Sequence, residues 1–263
     1  MNMIEGTARP AISEPKHPAP QRYTVLGKQR ITPNMMRVTL GGDGMATLRP
    51  DAEGGYFKLR FAGDGEKPAV RSYTIRHQRA DSVDVDFVVH GEGGHAGPAV
   101  EWALSVEVGF TIEAGGPGPA KQLRPDMDRY LIAGDMTALP AIGVNLAALT
   151  AKAKGLAVIE VQSEDDKQDL IHPAGVEVRW LVNPEPGTQP DLLADALRDG
   201  GWSDGTTYGW AAAEFGSMQG LRAYLRDERG LDRDHLYISS YWKYGEDDAG
   251  HRAAKQVDGA LAG

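Results

Sequence analysis

Arg71-Ser72-Tyr73-Thr74, followed by His90-Gly91 and then Gly97-Pro98-Ala99, is the stretch on which the fold turns. An arginine two residues before a Tyr-Thr pair offers a guanidinium for a phosphate, a ring for a flat aromatic system and a hydroxyl for a polar edge. The glycine-rich run from Gly91 to Pro98 lets backbone amides close on an anion at the start of a short helix, Pro98–Leu104. In isolation each piece has a plainer reading. The tetrapeptide serves equally as strand sequence with cross-strand packing, His90-Gly91 as a turn at a strand end, and Gly97-Pro98-Ala99 as a helix start with proline in its first turn.

Outward from this stretch, short strands are expected at Arg22–Val25, Met35–Leu40, Tyr56–Phe61, Arg71–His77, Val83–His90 and Val108–Glu113. Val83-Asp84-Val85-Asp86-Phe87 and Tyr56-Phe57-Lys58-Leu59-Arg60-Phe61 alternate apolar and polar residues, and glycine clusters at 41–44, 54–55 and 63–65 separate the runs. Six short antiparallel strands with one helix predict a small closed β-barrel, which leaves no exposed edge.

The rhythm then changes. Tyr130–Gly134 reads as a buried strand ending at Asp135 and Thr137, with Leu139, Ile142, Leu146 and Leu149 following at helical spacing. Strands at Ala157–Val161, Val176–Val182, Tyr208–Ala213 and Leu236–Ser239 alternate with helices at Leu192–Arg198 and around Met218, Leu221 and Leu225. This alternation predicts a doubly wound α/β half: a mostly parallel sheet with helices on both faces. The expected organisation is a disordered, proline-bearing segment 1–21, a barrel domain 22–120 and an α/β domain 121–263 with a final helix from Asp247 to about Val257. The boundary falls in Gly115–Asp128, where Gly, Pro and charged residues cluster.

Composition narrows the function classes. The 263 residues carry a formal net charge of -9 with no basic block, which argues against a nucleic-acid partner. There is no cysteine, so disulfides, cysteine-bound zinc and cysteine-bound iron–sulfur clusters are excluded and redox chemistry requires a bound cofactor. No apolar run approaches the roughly 18 residues a bilayer demands. A cytoplasmic monomer is expected. The histidines form no His-x-x-x-His pair, so no protein-bound metal is expected.

Three further segments join the opening motif. Gly134-Asp135-Met136-Thr137-Ala138-Leu139-Pro140-Ala141 looks like a Gly-Asp-Glu-Thr-Ala-Leu-Pro-Ala motif with Met136 in place of glutamate. Trp210-Ala211-Ala212-Ala213-Glu214 looks like Trp-x-Ala-Gly-Glu, with Ala213 at the usual glycine. Ser239-Ser240-Tyr241-Trp242-Lys243-Tyr244-Gly245 resembles Ser-Gly-Tyr-Trp-Arg/Lys-x-Gly. From Arg22 to about Lys255 the chain thus resembles the siderophore-interacting proteins, flavin-dependent ferric-siderophore reductases among the ferredoxin-reductase-like flavoproteins.

That resemblance implies FAD held by Arg71, Ser72, Tyr73, Thr74, His90, Gly91, Gly97, Pro98 and Ala99, with Trp242 near the flavin face. It implies NADPH or NADH as donor beside Asp135 and Thr137, which N-capping of the next helix would also explain. Gly-x-Gly-x-x-Gly is absent, so the resemblance alone supports the nucleotide. Ser163 and Lys167 are candidates for a 2′-phosphate or plain solvated loop residues. The ferric siderophore, commonly an anionic chelate, is expected at Lys58, Lys243 and Arg252, with Lys255 as a further candidate. His95 is an exposed loop residue or a ligand contact. No catalytic residue beyond the flavin is expected. A general NAD(P)H:flavin or ferredoxin-type reductase and a non-catalytic siderophore carrier are the competing readings. Gly201-Trp202-Ser203-Asp204-Gly205 matches Gly-x-Ser-x-Gly, but a nucleophile elbow needs strand before and helix after, and here the order is reversed.

Overall fold

Strands β1 (Gln21–Thr32), β2 (Met35–Gly41), β3 (Tyr56–Phe61), β4 (Ala69–Gln78), β5 (Ser82–Val88) and β6 (Thr111–Gly118) close a barrel in the order β1-β2-β5-β4-β3-β6. The structure is a computed structural model that describes residues 19–62, 68–90 and 97–261. Alternation along the strands sends Val25, Val38, Leu40, Phe57, Leu59, Ile75, Val83, Val85 and Phe87 into one core, all fully buried. Helix α1 (Pro98–Ser105) plugs one end, where Trp102 meets Phe61 and Phe87 at ring-centroid separations of 5.6 and 5.7 Å.

Asp84 and Asp86 occupy the outward positions of β5 yet are 1% and 5% exposed. Arg37 covers Asp86 with a paired contact at 2.6 and 2.7 Å. Asp84 accepts from Thr39, Arg79 and His77. Burial pushes the Asp84 carboxyl up, but the Arg79, Thr39 and His77 hydrogen bonds win and leave it at about 2. Strand alternation therefore holds, with arginines rather than water covering the polar face.

Strand β6 runs on to Gly118, beyond the Glu113 at which the turn-rich composition suggested it would end. The second half forms a five-stranded parallel sheet from β7 (Arg129–Gly134), β8 (Gly155–Val161), β9 (Val176–Val182), β10 (Thr207–Glu214) and β11 (Leu236–Trp242), in the order β11-β10-β7-β8-β9. Helix α2 (Leu139–Ala148) covers the face bearing Ile132, Ala157, Ile159, Trp210 and Ala212. Helices α3 (Leu192–Asp199) and α4 (Phe215–Arg222) cover Leu131, Ala133, Leu156, Val158, Ala211 and Ala213. Helices thus lie on both faces, although only a short 3-10 turn, Glu164–Asp166, connects β8 to β9. Helix α5 (Asp248–Leu261) ends the described chain.

Barrel and sheet share the α2-side core, which includes Met35 from β2 together with the partly buried Ile31 and Val88. A polar clasp fixes the same junction. Asp166, fully buried, accepts from the Thr32 hydroxyl at 2.8 Å, the Asn34 backbone N–H at 2.9 Å, the Asn34 side-chain amide at 2.7 Å and the Ser163 hydroxyl at 2.8 Å. The β1–β2 turn of the barrel is thereby tied to the loop after β8.

Candidate functional site

Lys58 on β3 stands directly opposite Ser72 on β4, and both are exposed where the barrel meets α5. The two strands and the first turn of α5 enclose a cleft of about 730 Å³ lined by Lys58, Pro68–Ser72, Asp247–Ala249 and Arg252. Its position depends on what holds α5. The Ser240 hydroxyl lies 2.9 Å from His251 Nε2, both side chains being buried. Lys255 Nζ donates to the Ser240 carbonyl at 3.0 Å and the Ser239 hydroxyl at 3.1 Å. Arg222 on α4 pairs with Asp258 farther along the helix. Asp247 accepts the Gly250 N–H at 2.8 Å and so caps the first turn.

Arg71 reaches into the cleft. Its Nη1 donates to the Val70 carbonyl at 3.0 Å and lies 3.6 Å from the Asp248 carboxylate. Asp248 also takes Arg252. Tyr73, next but one along β4, is half-buried with its ring 4.2 Å from that of Phe87. At the start of α1, Gly97 supplies no side-chain cap, and a Cβ built on it would meet nothing within 4 Å. Arg71 and the Ser72 hydroxyl form a donor pair that suits an FAD diphosphate.

The carboxyl edge of the parallel sheet is built differently. Strand order reverses between β7 and β10, the switch point at which open α/β sheets bind ligands. Asp135, 5% exposed, fills that crevice. Its Oδ1 accepts the Thr137 N–H at 2.9 Å and the Thr137 hydroxyl at 2.5 Å, and its Oδ2 accepts the Glu214 N–H at 2.8 Å and the Trp242 indole N–H at 2.7 Å. Burial pushes its carboxyl up while those four donors pull it down, and burial prevails. Glu214 in turn accepts from the first turn of α4 through Gly216 and Ser217 and from the Tyr244 N–H at 3.0 Å. Gly187, at φ 84°, lies against Trp242 and Tyr244 so closely that a Cβ would sit 3.0 Å from each. The loop after β9 therefore covers this edge.

Two family models match: "Siderophore-interacting FAD-binding domain" over residues 62–121 and "Siderophore-interacting protein" over residues 127–245. The ferric vibriobactin reductase ViuB of Vibrio cholerae is 32% identical, covering 90% of this chain and 94% of its own. The chain belongs to the siderophore-interacting protein family. Among solved structures, the siderophore utilization protein from T. fusca matches with a TM-score of 0.79 at 31% identity, covering 89% of this chain and 96% of that one. SipS from Aeromonas hydrophila gives 0.79 at 30%, with 90% and 97% covered. Ferredoxin-NADP+ reductase from Plasmodium falciparum, at 10% identity and a TM-score of 0.65 over 84% of this chain and 96% of its own, shares the fold.

In this siderophore-interacting protein, Arg71, Ser72, Lys58 and Arg252 come together in one cleft, with Tyr73 and Thr74 continuing along β4. His90 is exposed just past β5, and Gly97, Pro98 and Ala99 open α1. Gly91 and His95 lie outside the described residues. Lys243 does not line the cleft: its Nζ pairs with Glu246 at 3.2 Å. Lys255 is spent on β11, Ser163 on Asp166 and Lys167 on Glu164. Asp135 and Thr137 bond to each other, and Trp242 to Asp135. The loop at Gly201–Gly205 is free of helix and strand. Sequence reading missed Asp248, Asp166, Glu160 and the Ser240–His251 contact. Serine at 240, where the motif has glycine, was the one visible signal for the last of these. Among the described residues no helix is long and apolar enough to cross a membrane, and no acidic or histidine cluster could hold a metal ion.

Proposed function

We propose that the protein is an FAD-dependent reductase of ferric siderophores, drawing electrons from NADH or NADPH. The observation that carries this reading is the presence on one cleft of Arg71 and Ser72, a donor pair suited to a flavin diphosphate, with Lys58, a cation that no carboxylate of the described residues meets. Its relative ViuB, named a ferric vibriobactin reductase, supports the acceptor. In this reading Arg71 and Ser72 orient the flavin diphosphate together with the α1 N-terminus at Gly97–Ala99. Tyr73, Thr74 and His90 serve the ring and its linker. A bound flavin supplies a two-electron store that can be discharged one electron at a time. Ferric iron in hard-oxygen chelators becomes labile on reduction, so the chain's task is positioning rather than acid–base catalysis.

The test is anaerobic mixing of FAD-loaded protein with NADH or NADPH and then with a ferric siderophore. Bleaching of the flavin absorbance, followed by its return with Fe(II) trapped by a chromogenic chelator, is the expected result. No bleaching with either nucleotide would remove the nicotinamide donor and point to a protein electron carrier. A protein that binds ferric chelates but never takes up FAD would be a carrier. Arg71→Ala is expected to weaken FAD binding at least roughly tenfold, as loss of a charge-assisted phosphate contact does.

A further inference from the structure

The charges around the cleft do not suit a strongly anionic chelate. Its lining holds three cations, Lys58, Arg71 and Arg252, against two carboxylates, Asp247 and Asp248. Arg71 and Arg252 both converge on Asp248, and Lys243 is turned aside to Glu246. Lys58 is the one lining cation that no carboxylate of the described residues meets. A flavin diphosphate held at Arg71 adds two further negative charges, so the loaded cleft carries a net negative charge. The whole chain, at -9, contributes a field of the same sign, and a concave site focuses it.

We propose that this cleft selects ferric chelates without net negative charge, the ferric trihydroxamate class, over trianionic ferric tricatecholates. Three hydroxamates balance the charge of Fe(III), and a linear trihydroxamate with a free amine leaves the complex cationic. Three catecholates contribute six phenolate charges and leave it trianionic. Both classes present hard oxygen donors in compact octahedral complexes, so charge is the property this lining can discriminate. Asp248 is the residue that sets the selectivity, because it neutralises two arginines at once and stands on the α5 wall facing Lys58. Discrimination of this kind comes from repulsion of the wrong ligand as much as from attraction of the right one.

The inference rests on the reductase reading. In that reading each Fe(III) takes one electron and becomes Fe(II), and the electron pair of one reduced nicotinamide serves two chelates. Binding is measured apart from electron transfer by using Ga(III), which matches Fe(III) in charge and size and is not reduced. FAD-saturated oxidised protein is titrated with the Ga(III) complex of desferrioxamine B and with that of a tris-catecholate amide. The trihydroxamate complex should bind at least about tenfold more tightly, and the gap should shrink as salt rises and screens the repulsion. Asp248→Asn should narrow the gap roughly threefold or more through tighter tricatecholate binding, with the trihydroxamate little changed. Equal or tighter binding of the tricatecholate overturns the proposal, as does failure of both complexes to bind. If pre-reduced holoprotein yields no Fe(II) from ferric desferrioxamine B while the Ga(III) preference holds, the reductase reading fails and the charge selectivity stands.

Discussion

Replacing Glu160 by glutamine removes the ionisation of a carboxyl that is 4% exposed near the carboxyl end of β8. Burial raises its affinity for a proton, the Asn183 side-chain amide opposes this with a hydrogen bond at 2.8 Å, and the Asp135 and Glu214 carboxylates add to the rise. The group titrates at about 7 in the fold against 4.5 in water. At about 1.4 kcal/mol per tenfold change in proton affinity, its ionisation costs the native state roughly 3 kcal/mol. The native state holds the proton more tightly than the unfolded chain, so stability is lost as pH climbs from 4.5 to about 7. Glutamine keeps an acceptor for Asn183 and has no charge to bury. Urea unfolding of both proteins should therefore show no gap near pH 4.5 and an advantage of roughly 2–3 kcal/mol for Glu160→Gln at about pH 8. A variant equally or less stable than wild type at the higher pH would refute the reasoning. The same substitution should tighten any anionic nucleotide at the sheet edge, since it removes one of three neighbouring carboxylates.

Asp166→Ala severs the clasp between barrel and sheet and leaves the Asn34 donors without their acceptor. A loss of about 3–5 kcal/mol in unfolding free energy is expected, and a loss below about 1 kcal/mol would mean the clasp does not hold the junction. Trp242→Phe deletes the donor at Asp135 Oδ2 and should cost about 1–2 kcal/mol of stability while leaving FAD affinity unchanged; a shifted FAD titration would place the indole against the flavin instead. His251 is held below the ordinary histidine range by burial and then by Lys255, with Arg252 adding and Asp248 and Glu214 opposing. Docking of α5 should accordingly be complete above about pH 6.5 and weaken as pH falls below it, read as faster amide exchange over residues 248–261. Ser240→Ala should show faster exchange at neutral pH already.

Periodicity carried most of the fold. Buried runs such as Tyr130–Gly134 and the alternation of Val83–Phe87 name their elements because side-chain direction follows a period of two in any strand. The end of β6 did not show, because Gly115, Gly116, Pro117 and Gly118 have turn composition and yet pair across to β3. At the site, Arg71 and Ser72 were legible because one strand presents both. Asp248 was not, because it meets Arg71 only through the path of α5, a contact between residues far apart in sequence. The cationic candidates meet the same limit. Lysines and arginines can be read from a sequence, but whether a carboxylate already faces them cannot. Arg252 and Lys243 are both matched by acids within their own local segment.

The crevice at the β7–β10 switch point bears most directly on the electron donor. In an ordinary dinucleotide fold, the helix that follows the first strand leaves its N–H groups for a diphosphate, and glycines let the ligand approach. Here Asp135 places a carboxylate just ahead of α2, where it accepts the Thr137 N–H, and Glu214 caps α4 through the Gly216 and Ser217 N–H groups. The N-terminus of α4 is thus satisfied before any ligand arrives, Asp135 stands just ahead of α2, and Glu160 adds a third acidic group beside them. A nicotinamide nucleotide binding at this edge gains little from α4 and meets carboxylates where its phosphates would lie. It must draw its affinity from stacking of its rings and from the barrel side, where Arg71 lies. The expected signature is a donor KM well above that of enzymes with a glycine-rich phosphate turn, falling when Glu160 is neutralised. A KM in the low micromolar range for wild type would show that the phosphates bypass this edge altogether.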